Sequence, residues 1–150
     1  MVPITPNIMI DNWKQLIFSA PNEKVFDLAL LMYRIGISAA LFFVHGLPKL
    51  INYEQTVLMI PDPFGLGGTV NTILAIVVNG FCAIMVALGW YTRLFILPIL
   101  GLTLTGLFVV HIGDPLKVVD VPFMYSIAFA FLLICGPGNY SFDGMLSAAK

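Results

Sequence analysis

Four apolar runs, 28–44, 70–90, 94–110 and 121–135, leave this chain few folds to choose from. Each approaches the ~20 residues that carry a helix across a hydrocarbon core, and the last two are short enough to need flanking turns. The punctuation between the runs is that of helix ends. Asn22 can cap the first helix, Gly68 and Thr69 stand at the start of the second, and Asp120 with Pro122 suits the N-cap and first turn of the fourth. Gly136-Pro137-Gly138 then stops it, while Pro98, Gly101 and Gly106 fall inside the third, where a membrane helix tolerates them. The expected fold is therefore all-α, an integral membrane four-helix bundle. Composition agrees: 59% of the residues are hydrophobic and 10% charged, against roughly 25% charged in soluble domains.

Ahead of the first run, Met9, Trp13, Leu16 and Ile17 share one helical face and Asp11, Asn12, Lys14 and Gln15 lie largely on the other. This predicts an N-terminal interfacial helix at the headgroup layer, with a poorly ordered tail as the competing reading. The chain divides into an interfacial segment over 1–27 and a membrane domain over 28–146. With Pro3, Pro6, Asp11, Lys14 and Glu23 among them, the first 25 residues do not read as a cleavable leader. A net charge of −1 and scattered basic residues offer nucleic acid no surface. Cys82 and Cys135 belong to no CxxC pair and read as small core residues. The lipid bilayer is the partner that the composition demands, and a homo-oligomer is left open.

Basic residues near the spans set the orientation. Four helices put both termini on one side, with Lys14, Lys24, Arg34, Arg93 and Lys150, against Lys49 and Lys117 on the other. The imbalance predicts a multi-pass protein of the cytoplasmic membrane with both termini in the cytoplasm. The first and third helices then run outward, and each ends in similar words: "FFVHGLPKL" at 42–50 and "VVHIGDPLKV" at 109–118. A parallel two-fold repeat of helix pairs would place His45 and His111 equivalently at the outer face, each followed by a proline that ends its helix. Glycine and proline after any helix would give the same resemblance by chance.

Imidazole titrates near neutrality and can serve a ligand oxygen, so two histidines at one face invite a site. Each could instead bond a loop carbonyl at the water boundary. Two histidines alone do not close a metal site, so no metal is assigned and haem is the least favoured ligand. His45, Lys49, Asn79 and His111 are the ligand-binding candidates. Asn79 is the strongly polar residue midway along the second run, and interhelical hydrogen bonding is its leading reading ahead of ligand contact. Arg34, about two turns into the first run, needs a partner. An ion pair with Asp143, in a structural polar cluster with Arg93, is the leading reading, and an anion or headgroup site the second. The loop "IPDPFGLGG" at 60–68 lacks a nucleotide-binding context and reads as a stiff cover over the bundle mouth. GxSxG, HExxH and CxxC are all absent, so the sequence carries no self-sufficient catalytic apparatus and its catalytic residues are not assigned.

Arg34, "HGLPK" at 45–49, "LGWYTR" at 88–93, His111 and "GPGNYSFD" at 136–143 together resemble the DoxX family of small bacterial and archaeal membrane proteins, over roughly residues 28–146. The resemblance implies a four-helix membrane fold and, for some relatives, membership of membrane oxidoreductase complexes, thiosulfate:quinone oxidoreductase among them. It implies here a membrane subunit of a redox system, with a partner redox subunit and a quinone or other lipid-soluble ligand near the outer face. The alternative is a non-enzymatic scaffold or a carrier of lipid or small solutes. Members often carry glutamate in the second helix where this chain has Asn79, and an amide cannot transfer protons as a carboxylate does.

Overall fold

The computed structural model describes residues 22–149, so the expected interfacial helix around Trp13 lies outside the described residues. Four helices are long and apolar enough to cross a membrane: α1 (Glu23–Ile51), α3 (Gly68–Leu88), α4 (Thr92–Val110) and α5 (Leu116–Cys135). Two short helices accompany them, α2 (Tyr53–Met59) and α6 (Phe142–Ala148), with no strand among the described residues. Several expected ends hold. Asn22 Oδ1 accepts from Val25 N at 2.9 Å, α3 starts at Gly68, and α5 stops at Cys135 before Gly136 turns to φ +80°.

The antiparallel pairs α1–α3 and α4–α5 make the most extensive contacts, and α3 against α4 joins them. Leu30, Leu41, Val86, Ile96, Ile99, Phe129 and Leu132 form the shared core. The large side chains left outside, such as Met32, Phe43, Leu97, Phe108 and Ile134, are apolar. Hydrocarbon rather than water is the solvent that suits such a surface. Cys135 belongs with these exposed positions and not with the core as expected, whereas Cys82 is buried; both thiols are free.

Two spans differ from their expected extent. Helix α5 begins at Leu116, after an extended Pro115, so Asp120 and Pro122 lie inside it rather than at its start. Pro122, the seventh residue of the helix, is past the first turn and cannot donate to the Val118 carbonyl. Helix α1 passes through His45, and Pro48 does not end it. The reason is a π turn over Leu41–Gly46, whose register is seen in the bond from Leu47 N to Phe42 O. The next α-helical stretch starts with Pro48 at its head, the place where a missing N–H costs least.

A second π turn occupies Val77–Cys82 in α3 and a third Gly106–Val110 in α4. In the third, His111 N donates to Gly106 O at 3.0 Å. The two repeated words thus share more than their endings. Leu41-Phe42-Phe43-Val44-His45 and Leu107-Phe108-Val109-Val110-His111 match at four of five positions, and each lies in or against a π turn. The turns in α1 and α3 also touch closely: a Cβ placed on Gly46 would stand 2.7 Å from the Asn79 carbonyl oxygen.

Opposite the histidines, the start of α1 and the end of α5 meet. Asp27 accepts from Asn139 N at 3.1 Å and from Asn139 Nδ2 at 2.7 Å. We call this the terminal face.

Candidate functional site

At the histidine face a cavity of about 190 Å³ receives a residue from each π turn: His45, Asn79 and Gly106, with His111, Thr103 and Tyr125 also on its wall. Widened turns that insert one residue change which side chains face inward, and they recur at functional sites. A larger cavity of about 420 Å³ adjoins it, with Asn79, Leu102, Gly106 and His111 lining both. Lys49 lines only the larger one and His45 only the smaller. All four ligand-binding candidates therefore meet in one adjoining pair of cavities.

Their partners differ in what they leave free. The Lys49 ammonium donates to the His45 carbonyl at 2.8 Å, and the His45 ring stands edge-on to Tyr125 with centroids 5.3 Å apart. His111 Nδ1 lies 2.9 Å from Asp114 Oδ2, one turn beyond the end of α4. With a proton on Nδ1 donated to that carboxylate, Nε2 is the acceptor of the neutral ring and a donor once the ring is charged. Asn79 is only 5% exposed. Among the described residues no protein group hydrogen-bonds its amide. Two nearby hydroxyls are engaged elsewhere: Ser126 Oγ is 2.9 Å from Thr103 Oγ1 and 2.7 Å from the Pro122 carbonyl, and Thr103 Oγ1 donates to Leu100 O at 3.3 Å. The interhelical bond expected of Asn79 is not made, because the π turn of α3 turns that side chain to the cavities.

The loop over 60–67 roofs the larger cavity through Ile60, Pro61, Pro63, Phe64 and Leu66. Asp62 holds it in shape, accepting from Leu66 N at 2.8 Å, Gly67 N at 2.9 Å and Asn71 Nδ2 at 2.7 Å. These bonds, that from Gly67 foremost, hold the Asp62 carboxyl below its ordinary value, so the clamp stays charged well into acid.

The second polar group is on the terminal face and is arranged otherwise than expected. Arg34, 1% exposed, donates Nε to Ala87 O at 3.3 Å, Nη1 to Pro137 O and Nη2 to Tyr140 O at 2.8 Å. Asp143 accepts instead from Tyr91 N at 2.8 Å, Thr92 N at 2.9 Å and Thr92 Oγ1 at 2.8 Å. The direct Arg34–Asp143 pair is thus replaced by two separate networks. Helix ends supply unpaired carbonyls and unpaired amides in the same small volume, and a guanidinium and a carboxylate each fit one kind. Asp143 also steadies Tyr91, whose φ of +46° is the one positive value for a non-glycine among the described residues. Arg93 lines an open cleft of about 600 Å³ beside Asp143 and Gly136.

Asp114, Tyr125 and Thr103 were not among the candidates. The first could have been found from its position three residues after His111, where a turn brings side chains together. The other two look like ordinary span residues, and only packing brings them to the cavity.

The family model described as DoxX matches residues 29–112. Inner membrane protein YphA of Escherichia coli (strain K12) is 33% identical over 126 residues, covering 76% of this chain and 87% of that protein. No solved structure is significantly similar.

Proposed function

We infer that this chain, which belongs to the DoxX family, is the membrane subunit of a redox system and takes a lipid-soluble quinone as substrate in the cavities at its histidine face. The observation that carries the reading is Asn79, whose amide makes no hydrogen bond among the described residues and is open to the wall that the two cavities share. A quinone carbonyl is an acceptor that such an amide N–H can serve, a bond worth ~1–3 kcal/mol in a site closed to water. His45 and His111 border the same space. Reducing a quinone to a quinol consumes two electrons and two protons. A partner redox subunit would deliver the electrons, and His111, just past the end of α4, suits the exchange of protons with water, whereas His45 lies inside the span against Tyr125 and not at the outer boundary expected for it.

Purified in mild detergent and extracted, the protein should carry quinone detectable by mass and absorbance. Asn79→Leu should weaken quinone binding by roughly 10–100-fold, the range that losing ~1–3 kcal/mol implies. His111→Gln should flatten the pH dependence of quinone reduction while leaving thermal stability within about 1 kcal/mol. Extracts holding only phospholipid, with neither variant altering binding, would favour the scaffold or carrier reading.

The relative is named an inner membrane protein, and we place this chain likewise, with both termini in the cytoplasm. In a variant lacking native cysteines, Lys117→Cys should react with a membrane-impermeant maleimide added outside, and Ser147→Cys should not. The reverse pattern would put the quinone site at the cytoplasmic face.

A further inference from the structure

We propose that the smaller cavity holds a file of water that carries protons between the histidine face and His45, inside the span. Its catalytic use rests on the quinone reading above, and the water file does not. Helix register puts the two histidines at different depths. Asn79 stands nine residues before the end of α3 at Leu88 and Gly101 nine after the start of α4 at Thr92, so these antiparallel neighbours are level. Gly46 lies against the Asn79 backbone, which brings His45 to that level too. His111 is ten residues beyond Gly101, roughly 15 Å along a helix. Both imidazoles nevertheless line one cavity of about 190 Å³, with Asn79, Thr103 and Tyr125 also on its wall.

The wall has the chemistry of a water site. Among the described residues, the His45 ring, the Asn79 amide and the Tyr125 hydroxyl make no hydrogen bond. Buried polar atoms that are both unbonded and sealed from water belong to Ser38 and Thr72, neither of which lines this cavity. The three groups on its wall therefore face space that water can enter. A water needs two to four polar partners, and at ~30 Å³ each about six fill the volume. Drug-sized ligands occupy ~300–1,000 Å³, which leaves the larger cavity to the quinone. His45 lines only the smaller one, so water is its contact with a ligand next door. The step moves a proton and nothing else. A His45 ring nitrogen takes it from the adjoining water, each water regains one from the next, and solvent beside His111, whose side chain is 33% exposed, replaces the last. During quinone reduction His45 returns that proton through the same water to a quinone oxygen, the electrons coming from the partner redox subunit. The titratable groups around His45 are Lys49, bonded to its carbonyl at 2.8 Å, Tyr125 on α5, and His111 with Asp114 beyond α4.

Water that is broken by a brief X-ray pulse yields hydroxyl radical where it stands and oxidises the side chains beside it, which peptide mass then reads. Phe129 is the internal control: it is 0% exposed and stacks on Tyr125 with centroids 6.3 Å apart, yet does not line the cavity. In phosphatidylcholine nanodiscs without added quinone, His45 and Tyr125 should be oxidised at least ~10-fold faster than Phe129, which radical reaches only through local opening. Thr103 and Val121 line the smaller cavity and not the larger. Thr103→Met and Val121→Phe, two independent ways of filling it, should bring His45 down to the rate of Phe129. The same variants should lower kcat for quinone reduction by ~10-fold with KM within ~2-fold, since ligand binding next door is left intact. Wild-type His45 and Tyr125 oxidised no faster than Phe129 would overturn the water file. His45 oxidation lost in a folded filled variant with kcat unchanged would overturn the proton path. Wild-type protein that binds no quinone would remove the quinone reading and the catalytic use with it, while oxidation at His45 would still decide the file.

Discussion

Arg34→Leu is expected to lower stability by about 3–5 kcal/mol, the largest loss from any single substitution considered for this chain. Three carbonyls, of Ala87, Pro137 and Tyr140, face the guanidinium. Each buried acceptor left without a donor costs ~1–3 kcal/mol, partly offset where water can reach the terminal face. The site is shaped around arginine: Gly89 sits at φ +74°, and a Cβ there would lie 2.9 Å from Arg34 Cζ. Arg34→Lys should lose less, because an ammonium keeps the charge but cannot spread three donors in a plane. Thermal unfolding in detergent, followed by the monodisperse fraction, separates the two. An Arg34→Leu protein as stable as wild type would mean that these carbonyls have no need of the side chain.

Gly46→Ala should be the second severe change, at about 1–3 kcal/mol, the usual range for overpacking. The added methyl would stand 2.7 Å from the Asn79 carbonyl oxygen and 2.9 Å from its carbon. Both are backbone atoms within a π turn and cannot swing aside, so α1 and α3 must part. Asn79 would move with them, and quinone binding should fall together with stability. Gly101→Ala supplies the contrast. Its Cβ enters open space, and a mid-helix glycine replaced by alanine gains roughly 0.5–1 kcal/mol. Equal melting temperatures for the two alanine variants would show that the close approach at Gly46 is not needed.

The parts of this molecule that hydropathy and caps determine were legible in advance. Four runs of nearly membrane length became four spans, and Asn22 and Gly136 end helices where their side-chain oxygen or positive φ is useful. The π turns were not legible, since a change from i+4 to i+5 bonding leaves the apolar pattern almost unaltered. Pro48 consequently looked like a stop and proved to follow a turn that accommodates it. Arg34 was misread for a related reason. Charge suggests a carboxylate partner, but backbone carbonyls at helix ends are equally good acceptors and correspond to no letter of the sequence. His45, Lys49, Asn79 and His111 could be picked as polar exceptions in apolar runs, yet their meeting depends on three separate turns.

The ties at the terminal face also set an order of events during biosynthesis. Arg34 is translated 106 residues before Tyr140, whose carbonyl it binds, and at ~5–20 residues per second that interval lasts roughly 5–20 s. During it α1 must reside in or beside the membrane with a cation whose acceptors at Pro137 and Tyr140 do not yet exist. The amides at the head of α4 likewise await Asp143, made 51 residues after Thr92. Neither network can be completed by the first three spans alone, so closure of the bundle is a late step, and the nascent chain depends on lipid headgroups or the insertion machinery to shelter Arg34 until it occurs.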